Sequence, residues 1–144
     1  MNQPPFATPA EAETAFYEAI ERGDLDALMA VWCTHEEVVC IHPGGSRLDG
    51  YDVIREGWRV ILSQGRLQFR LSDVKAFEGM LYAVHTLCEW VSEAGNPQAA
   101  TPVFATNAYL LTDHGWRMVL HHASAAPQGA VADVEARDPN ALLH

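Results

Sequence analysis

Apolar residues recur at helical spacing through the first part of the chain and predict three helices. The first helix begins after Thr8 and ends at Gly23, the second follows Asp24, and the third runs from about Tyr51 to Gly65. Threonine and aspartate are favoured caps because their side-chain oxygens accept from free backbone N–H groups, and glycine is favoured just after a helix end. The pattern therefore predicts a helical N-terminal part.

The apolar spacing then changes to the two-residue period of β-strands. A short β-branched run over 38–41 precedes the third helix, and four longer runs begin at about Leu67, Met80, Thr101 and Trp116. Short turns join these four runs, which favours an antiparallel meander. The order ααβαββββ predicts an α+β cone, in which a curved antiparallel sheet is closed by three N-terminal helices. Such a cone has a partly apolar interior suited to a small molecule.

The chain of 144 residues fits one domain. We assign residues 8–127 to the cone, residues 1–7 to an N-terminal extension, and the Ala- and Asp-rich stretch 128–144 to a C-terminal tail. The net charge of −10 repels phosphate backbones and anionic lipid. Nucleic acid and membrane surfaces are therefore not expected partners.

The cysteines and the apolar runs indicate a compartment. Cys33, Cys40 and Cys88 are an odd set without C-x-x-C spacing, which is typical of reduced, buried thiols. No apolar run reaches the roughly 18 residues of a membrane span. The N-terminus has neither the cationic start nor the apolar stretch of a signal peptide. These features together predict a cytoplasmic protein.

Three stretches of the chain, together with the order of its elements, resemble one superfamily. They are a helix pair with a central Gly-Asp over 16–32, the sequence Ile-His-Pro-Gly-Gly over 41–45, and the final strand over 116–127. The pattern resembles the cone-shaped fold of nuclear transport factor two, ketosteroid isomerase and the SnoaL-like polyketide cyclases. The last stretch is also similar to the end of the calcium/calmodulin-dependent kinase association domain. The resemblance implies the cone fold over about residues 10–127. It leaves isomerases, dehydratases, cyclases, binding modules and oligomerisation hubs open as functions.

The resemblance also implies positions for catalytic groups. The base of ketosteroid isomerase falls on His42, its helix tyrosine on Phe16 and its second oxyanion donor on Asn107. Phe16 has no hydroxyl, and an amide donates less strongly than a neutral carboxylic acid. Tyr17, one residue further along the helix, is expected to point about 100° away. The pocket arginines of the association domain fall near Asn107 and Ala123, so a carboxylate-binding role also loses its charged anchor.

His42 is the predicted proton-transfer group. An imidazole titrates near neutrality, and burial in an apolar cone lowers its pKa, so it can act as a base while Asn107 holds a developing oxyanion. Glu89 is the one strand carboxylate that can face inward, but its place near a strand end predicts a position towards the rim. The alternative is a histidine at a strand end that bonds a backbone carbonyl.

Further ligand contacts are predicted from strand parity and helix faces. Asn107 and Tyr109 share a face, and Leu111 continues it, whereas His121 and His122 point to opposite faces, so one of them enters the cone. Histidine spacing typical of metal sites is absent, and no metal is expected. The predicted ligand-binding set is Phe16, Trp32, Trp58, His85, Tyr109, His121 and His122.

Three functions remain open at this point. The first is a small-molecule binding module for an apolar or aromatic compound, and the second is a cofactor-free isomerase, cyclase or dehydratase that uses His42. The third is an oligomerisation domain with a vestigial cone. No cofactor is expected for any of them. A homodimer is the expected assembly because the outer face of the sheet carries apolar residues, with a larger ring as the alternative.

Overall fold

A computed structural model describes residues 6–127; the predicted tail and residues 1–5 of the predicted extension lie outside the described residues. Three helices form: α1 spans Pro9–Arg22, α2 spans Leu25–Val31 and α3 spans Tyr51–Ser63. The two predicted caps are confirmed, because Thr8 Oγ1 accepts from the Glu11 N–H and Asp24 Oδ1 accepts from the Ala27 N–H. Within residues 6–127, none of the helices is long and apolar enough to cross a membrane.

Gly23 ends α1 in a left-handed conformation with φ of 68°. Its N–H reaches the carbonyl oxygens of Ala19 and Ile20, so the turn between α1 and α2 depends on a backbone shape that glycine adopts without strain. We expect Gly23→Ala to lower the free energy of unfolding by about 1 kcal/mol in urea denaturation. Gly23→Asn is the matched control, since asparagine tolerates this conformation better than alanine. Equal stability of both variants and the parent protein would contradict this account of the turn.

Over residues 6–127 the sheet has six strands, in the order β2-β1-β6-β5-β4-β3. The three helices and this curved sheet confirm the predicted α+β cone. The strands are β1 (Val39–Ile41), β2 (Arg47–Asp49), β3 (Leu67–Glu78), β4 (Tyr82–Glu93), β5 (Thr101–Thr112) and β6 (Gly115–Ala125).

Two features of the sheet differ from the prediction. The strand β2 was not predicted, because it has three residues and only Leu48 among them is partly buried. The sheet is mixed rather than purely antiparallel, because β1 runs parallel to β6, with Ile41 opposite His122. This parallel pairing matters for the site, since it brings the residue after β1, His42, to the same end of the sheet as His121.

The helices pack on the inner face of the sheet, and the core is centred on Phe16 of α1. Its fully buried ring lies edge-on to the rings of Trp32 and Trp58, with centroids 6.5 and 5.7 Å away. The ring of His121, on β6, lies 5.0 Å away. One helix residue therefore joins α1 to the end of α2, to α3 and to the last strand.

The opposite, outer face of the sheet is not covered by any helix of the described chain. Side chains on it alternate with the buried inner ones, and Val84, Phe104 and Ala108 are half-buried. Leu111 is 43% exposed although its parity predicts the inner face, because it lies at the end of β5 beside the β3–β4 turn. The sheet thus keeps an apolar outer surface.

Candidate functional site

A cavity of about 670 Å³ opens between the helices and the inner face of the sheet. It lies towards the end of the sheet where Val103 of β5 pairs with Ala125 of β6. Its walls are mainly apolar, and its polar side chains include His42, Glu89 and His121. The apolar wall comprises Ile20, Trp58, Ile61, Leu67, Phe69, Val91, Val103 and Ala123.

Two polar side chains at the floor of this cavity, Glu89 and His121, are joined by a chain of hydrogen bonds that runs behind the lining. The hydroxyl of Tyr17, on α1, donates to Glu89 Oε2 at 2.6 Å. Asn107 Nδ2 donates to the Tyr17 hydroxyl at 3.0 Å, and Asn107 Oδ1 lies 2.6 Å from His121 Nδ1. All four side chains are buried. Side chains from α1, β4, β5 and β6 are therefore held in one orientation by a single network, which we call the floor network.

The floor network determines which nitrogen of His121 carries a hydrogen. Asn107 uses its Nδ2 as a donor to Tyr17, so the group facing His121 Nδ1 is the amide oxygen. An amide oxygen only accepts, so His121 Nδ1 carries a hydrogen. Because burial lowers the pKa of His121 to about 3, the ring is neutral at pH 7. The other nitrogen, Nε2, carries the lone pair and lies 4.0 Å from Glu89 Oε2. His121 thus presents a hydrogen-bond acceptor beside the carboxyl group of Glu89.

Burial shifts the pKa values of the two groups in opposite senses. Desolvation raises the pKa of Glu89 from 4.5 to about 7; the Tyr17 hydrogen bond opposes this shift and the charge of Glu13 adds to it. Desolvation lowers the pKa of His121 to about 3, with repulsion from His42 adding to the effect. At neutral pH the imidazole is uncharged, and Glu89 exchanges its proton readily.

His42 lies at the edge of the same cavity. Its ring stands edge-on to Trp58 with centroids 4.6 Å apart, and its Nε2 lies 3.6 Å from Cys40 Sγ. Burial lowers the pKa of His42, in the predicted sense. Burial also raises the pKa of the Cys40 thiol to about 12, so this cysteine stays a protonated thiol rather than a nucleophile. His42 is therefore a neutral imidazole at the pocket wall.

A second buried cluster lies outside the cavity lining. Glu13 Oε2 on α1 accepts from the Tyr109 hydroxyl at 2.8 Å and lies 2.8 Å from His85 Nδ1. The other nitrogen of His85 is 3.4 Å from Glu78 Oε1. These contacts tie the first helix to β4 and β5, and they give each buried polar group a partner.

The structure divides the predicted ligand-binding set. Trp58 and His121 line the cavity, while Phe16 and Trp32 are fully buried behind it in the core. Of the two consecutive histidines on β6, His121 faces the cavity and His122 is exposed on the outer face. His85 and Tyr109 belong to the second cluster. Five residues of the predicted set therefore lie outside the cavity lining, namely Phe16, Trp32, His85, Tyr109 and His122.

The structure corrects two expectations about the site and places Asn107 behind the cavity lining. Glu89 is 4% exposed and lines the cavity rather than standing at the rim, because β4 continues to Glu93. Tyr17 points inward beside Phe16, because the buried stripe of α1 is wide enough to include both. Asn107 lies outside the lining, and both polar atoms of its side chain contact Tyr17 and His121; its oxyanion role stays a prediction.

Sequence reasoning did not assign Glu13, Tyr17 or Glu89 to the site, although two of them carried a signal. Glu13 shares the helical spacing of the core residues Phe16 and Ile20. Glu89 has the same strand parity as Leu87, which is buried on the inner face. Within residues 6–127, the structure holds no group of three or more His, Cys, Asp or Glu side chains arranged to bind a metal ion.

The chain is similar to known proteins in both sequence and fold. A family model described as a SnoaL-like domain matches residues 10–128. A Thiobacillus denitrificans structure named as a calcium/calmodulin-dependent protein kinase type II association domain is 37% identical, covering 86% of this chain and 99% of that one, with a TM-score of 0.78. A Streptomyces avermitilis structure named as a dehydratase of the NTF2-like family is 34% identical, covering 82% and 93%, with a TM-score of 0.76.

One curated relative is a plant protein. The F-box protein SKIP8 of Arabidopsis thaliana is 27% identical over 114 residues, which are 77% of this chain and 46% of that protein. The chain therefore spans about half the length of this relative.

Proposed function

We propose that this chain, which belongs to the SnoaL-like domain family, binds a small molecule with an apolar or aromatic body in its interior cavity. The family match confirms the resemblance read from residues 16–32, 41–45 and 116–127. The cavity carries the proposal, because its volume of about 670 Å³ lies within the usual range of ligand pockets. Apolar walls with a few oriented polar groups at the floor are the usual composition of such pockets.

Filling the cavity is expected to weaken binding. Val103→Phe places a ring in the lining, whereas Val53→Phe adds the same ring on the exposed side of α3 and serves as the matched control. A compound found by thermal shift in a metabolite library should lose at least about tenfold in affinity for the first variant and remain within about twofold for the second. Equal binding by both variants, with folding verified by circular dichroism, would place the ligand elsewhere.

A second function, a cofactor-free isomerase, cyclase or dehydratase, is favoured by one observation. Glu89 has a pKa of about 7 and lines an apolar cavity, and a proton-transfer group works best when its pKa lies near the working pH. The name of the Streptomyces avermitilis relative supports the dehydratase class. In this function Glu89 is the first candidate for the proton-transfer group, and His42 is the second.

Two substitutions separate these candidates once a bound compound is found to be turned over. If Glu89 transfers the proton, Glu89→Gln should lower kcat by about a hundredfold to ten-thousandfold, and His42→Ala should stay within a few-fold of the parent. The reverse result would assign the proton transfer to His42, as the sequence resemblance implies. Unchanged turnover in both variants would exclude this enzyme mechanism.

The outer face of the sheet supports a homodimer. Its half-buried apolar side chains, among them Val84, Phe104 and Ala108, would be covered by a second copy. Light scattering at micromolar concentration should give twice the chain mass of 15.9 kDa. Ala108→Glu should shift the protein to monomer, while Val53→Glu on α3 should not. A monomeric parent protein would contradict the proposed assembly, and a larger ring would favour an oligomerisation hub, the assembly role that the name of the Thiobacillus relative indicates.

The three cysteines of the chain support the proposed cytoplasmic location. Cys33, Cys40 and Cys88 are all buried free thiols in the structure. Free thiols of this kind persist in reducing compartments.

A further inference from the structure

The floor of the cavity offers hydrogen-bond acceptors on Glu89 and His121. The polar groups behind them already bond to one another, so they donate no hydrogen to a ligand. Oε2 of Glu89 accepts from Tyr17, and the second carboxyl oxygen remains for the cavity that Glu89 lines. Beside it, His121 presents the lone pair of Nε2, because its Nδ1 carries the hydrogen that faces Asn107 and burial keeps the ring neutral. The indole N–H of Trp58 is buried without accessible surface, so a ligand does not reach it. A ligand that satisfies this floor must bring the hydrogens itself.

The charges around the cavity favour a cation over an anion. Among the described residues that line it, Glu89 and Glu93 are the charged types, and neither lysine nor arginine is present. The whole chain carries a net charge of −10, so its field attracts cations towards the opening. An anion would meet these carboxylates without a cationic partner, at a cost that grows in the apolar interior.

The walls fit an apolar body attached to such a cation. Trp58 and Phe69 contribute aromatic surface, and aromatic faces attract cations through their quadrupole. Ile61, Leu67 and Val91 continue the wall with aliphatic surface. The lining therefore combines an apolar wall with an acidic floor that offers hydrogen-bond acceptors.

We propose that the cavity is selective for protonated primary or secondary amines on an apolar or aromatic body, with the ammonium group between Glu89 and His121. This inference rests on the proposed ligand-binding function and names the ligand class. The N–H groups of the ammonium supply the hydrogens that the floor lacks. The positive charge of the ammonium group also compensates the buried carboxylate, so Glu89 is ionised in the complex. Where the Glu89 carboxyl group is protonated before binding, it releases that proton to solvent as the amine binds.

The proposal predicts a pH dependence set by Glu89. Its pKa of about 7 means that an amine must displace a proton below neutrality, so affinity should rise with pH up to about 7 and then level off. Other titratable groups surround Glu89, and their charges also affect how amine affinity depends on pH. These groups are Glu13 and Tyr17 on α1, Cys40 and His42 at β1, Tyr109 on β5, and His121 on β6.

Calorimetry with matched probes tests the selectivity. For benzyl, phenethyl and cyclohexylmethyl bodies, the amine, the alcohol and the corresponding carboxylate are titrated into the parent protein at pH 6 and pH 8. The amines should bind at least about tenfold more tightly than the alcohols at pH 8, and the carboxylates should not bind. Alcohols that bind as tightly as amines would overturn the amine proposal and leave ligand binding intact.

Two carboxamide variants locate the selectivity. Glu89→Gln should remove about tenfold or more of the amine affinity and leave alcohol affinity within about threefold. Glu18→Gln is the matched control, because Glu18 is exposed on α1 and lies outside the cavity lining, and it should change neither affinity by more than about threefold. Equal losses in both variants would overturn the placement of the ammonium at Glu89. If every probe fails but a library compound binds and is blocked by Val103→Phe, the amine proposal alone fails. If no compound of any charge binds, the proposed function fails with it.

Discussion

Glu89→Gln is expected to stabilise the protein by about 3 kcal/mol at pH 8, measured by urea denaturation. The pKa of Glu89 rises from 4.5 to about 7 on folding, and each tenfold change in proton affinity between the unfolded and folded states corresponds to about 1.4 kcal/mol of stability. Above pH 7 the native protein holds an ionised carboxylate in an apolar cavity, whereas glutamine keeps a similar shape without the charge. The amide oxygen of glutamine can still accept from Tyr17.

The sign of this effect follows from proton binding. The folded state binds the Glu89 proton more tightly than the unfolded state, so its contribution to stability is complete below pH 4.5 and is lost as pH rises to about 7. The advantage of Glu89→Gln should therefore be largest at pH 8 and vanish near pH 4. A constant advantage at all pH values would show that burial does not shift the pKa of this carboxyl group.

His121 acts in the opposite direction over an overlapping range. Its pKa falls from 6.5 to about 3 on folding, so its contribution is present above pH 6.5 and is lost as pH falls. Between about pH 4.5 and 6.5, Glu89 makes the free energy of unfolding fall with pH and His121 makes it rise by the same slope. These two groups together should therefore leave the stability of the parent protein nearly constant over this range. Glu89→Gln removes one of them and should expose a slope of about 1.4 kcal/mol per pH unit, with stability rising as pH rises. A flat profile in that variant would contradict the buried, neutral state of His121.

Phe16→Ala is expected to lower the free energy of unfolding by about 3 to 5 kcal/mol at pH 7, as the truncation of a fully buried phenylalanine does. The ring contacts Trp32, Trp58 and His121, which belong to three different parts of the fold, so little of the space it leaves can close. The midpoint of thermal unfolding should fall by roughly 10 °C or more for a domain of this size.

Val53→Ala is the control for this truncation. It removes apolar atoms from a side chain that is half exposed on α3, and it should change stability by less than about 0.5 kcal/mol. A loss below about 1 kcal/mol in Phe16→Ala would show that the core around α1 repacks, and it would contradict the central role assigned to this residue.

The fold was largely predictable from local patterns. The caps at Thr8 and Asp24 and the αL glycine at Gly23 carry strong local preferences, and they define the ends of α1 and the start of α2. Apolar and polar residues alternate clearly in the four long strands, and this pattern predicts their number and their order along the chain. By contrast, β2 has three residues and one partly buried side chain, so its pairing with β1 depends on tertiary contacts that a sequence pattern does not contain.

The site was predicted less completely, for a geometric reason. His42, Trp58 and His121 were identified because their residue types and positions suggest chemistry on their own. Tyr17 and Glu89 acquire their role only from each other, across 72 positions of sequence. Strand parity shows which face a residue shares, but the depth of Glu89 in the cavity depends on how far β4 extends past it, to Glu93.

The parallel pairing of β1 with β6 also has a consequence for the order of folding. The segment 39–41 finds its partner in 120–122, so the loop that must close contains most of the domain, including the entire β3–β4–β5 meander. Closing long loops costs chain entropy before contacts compensate, and proteins dominated by such contacts fold slowly. During synthesis, the meander can pair strand by strand as it emerges, whereas β1 must wait for the last strand. We therefore expect His42 and His121 to come together only after β6 has been made, so that the cavity between them is completed last.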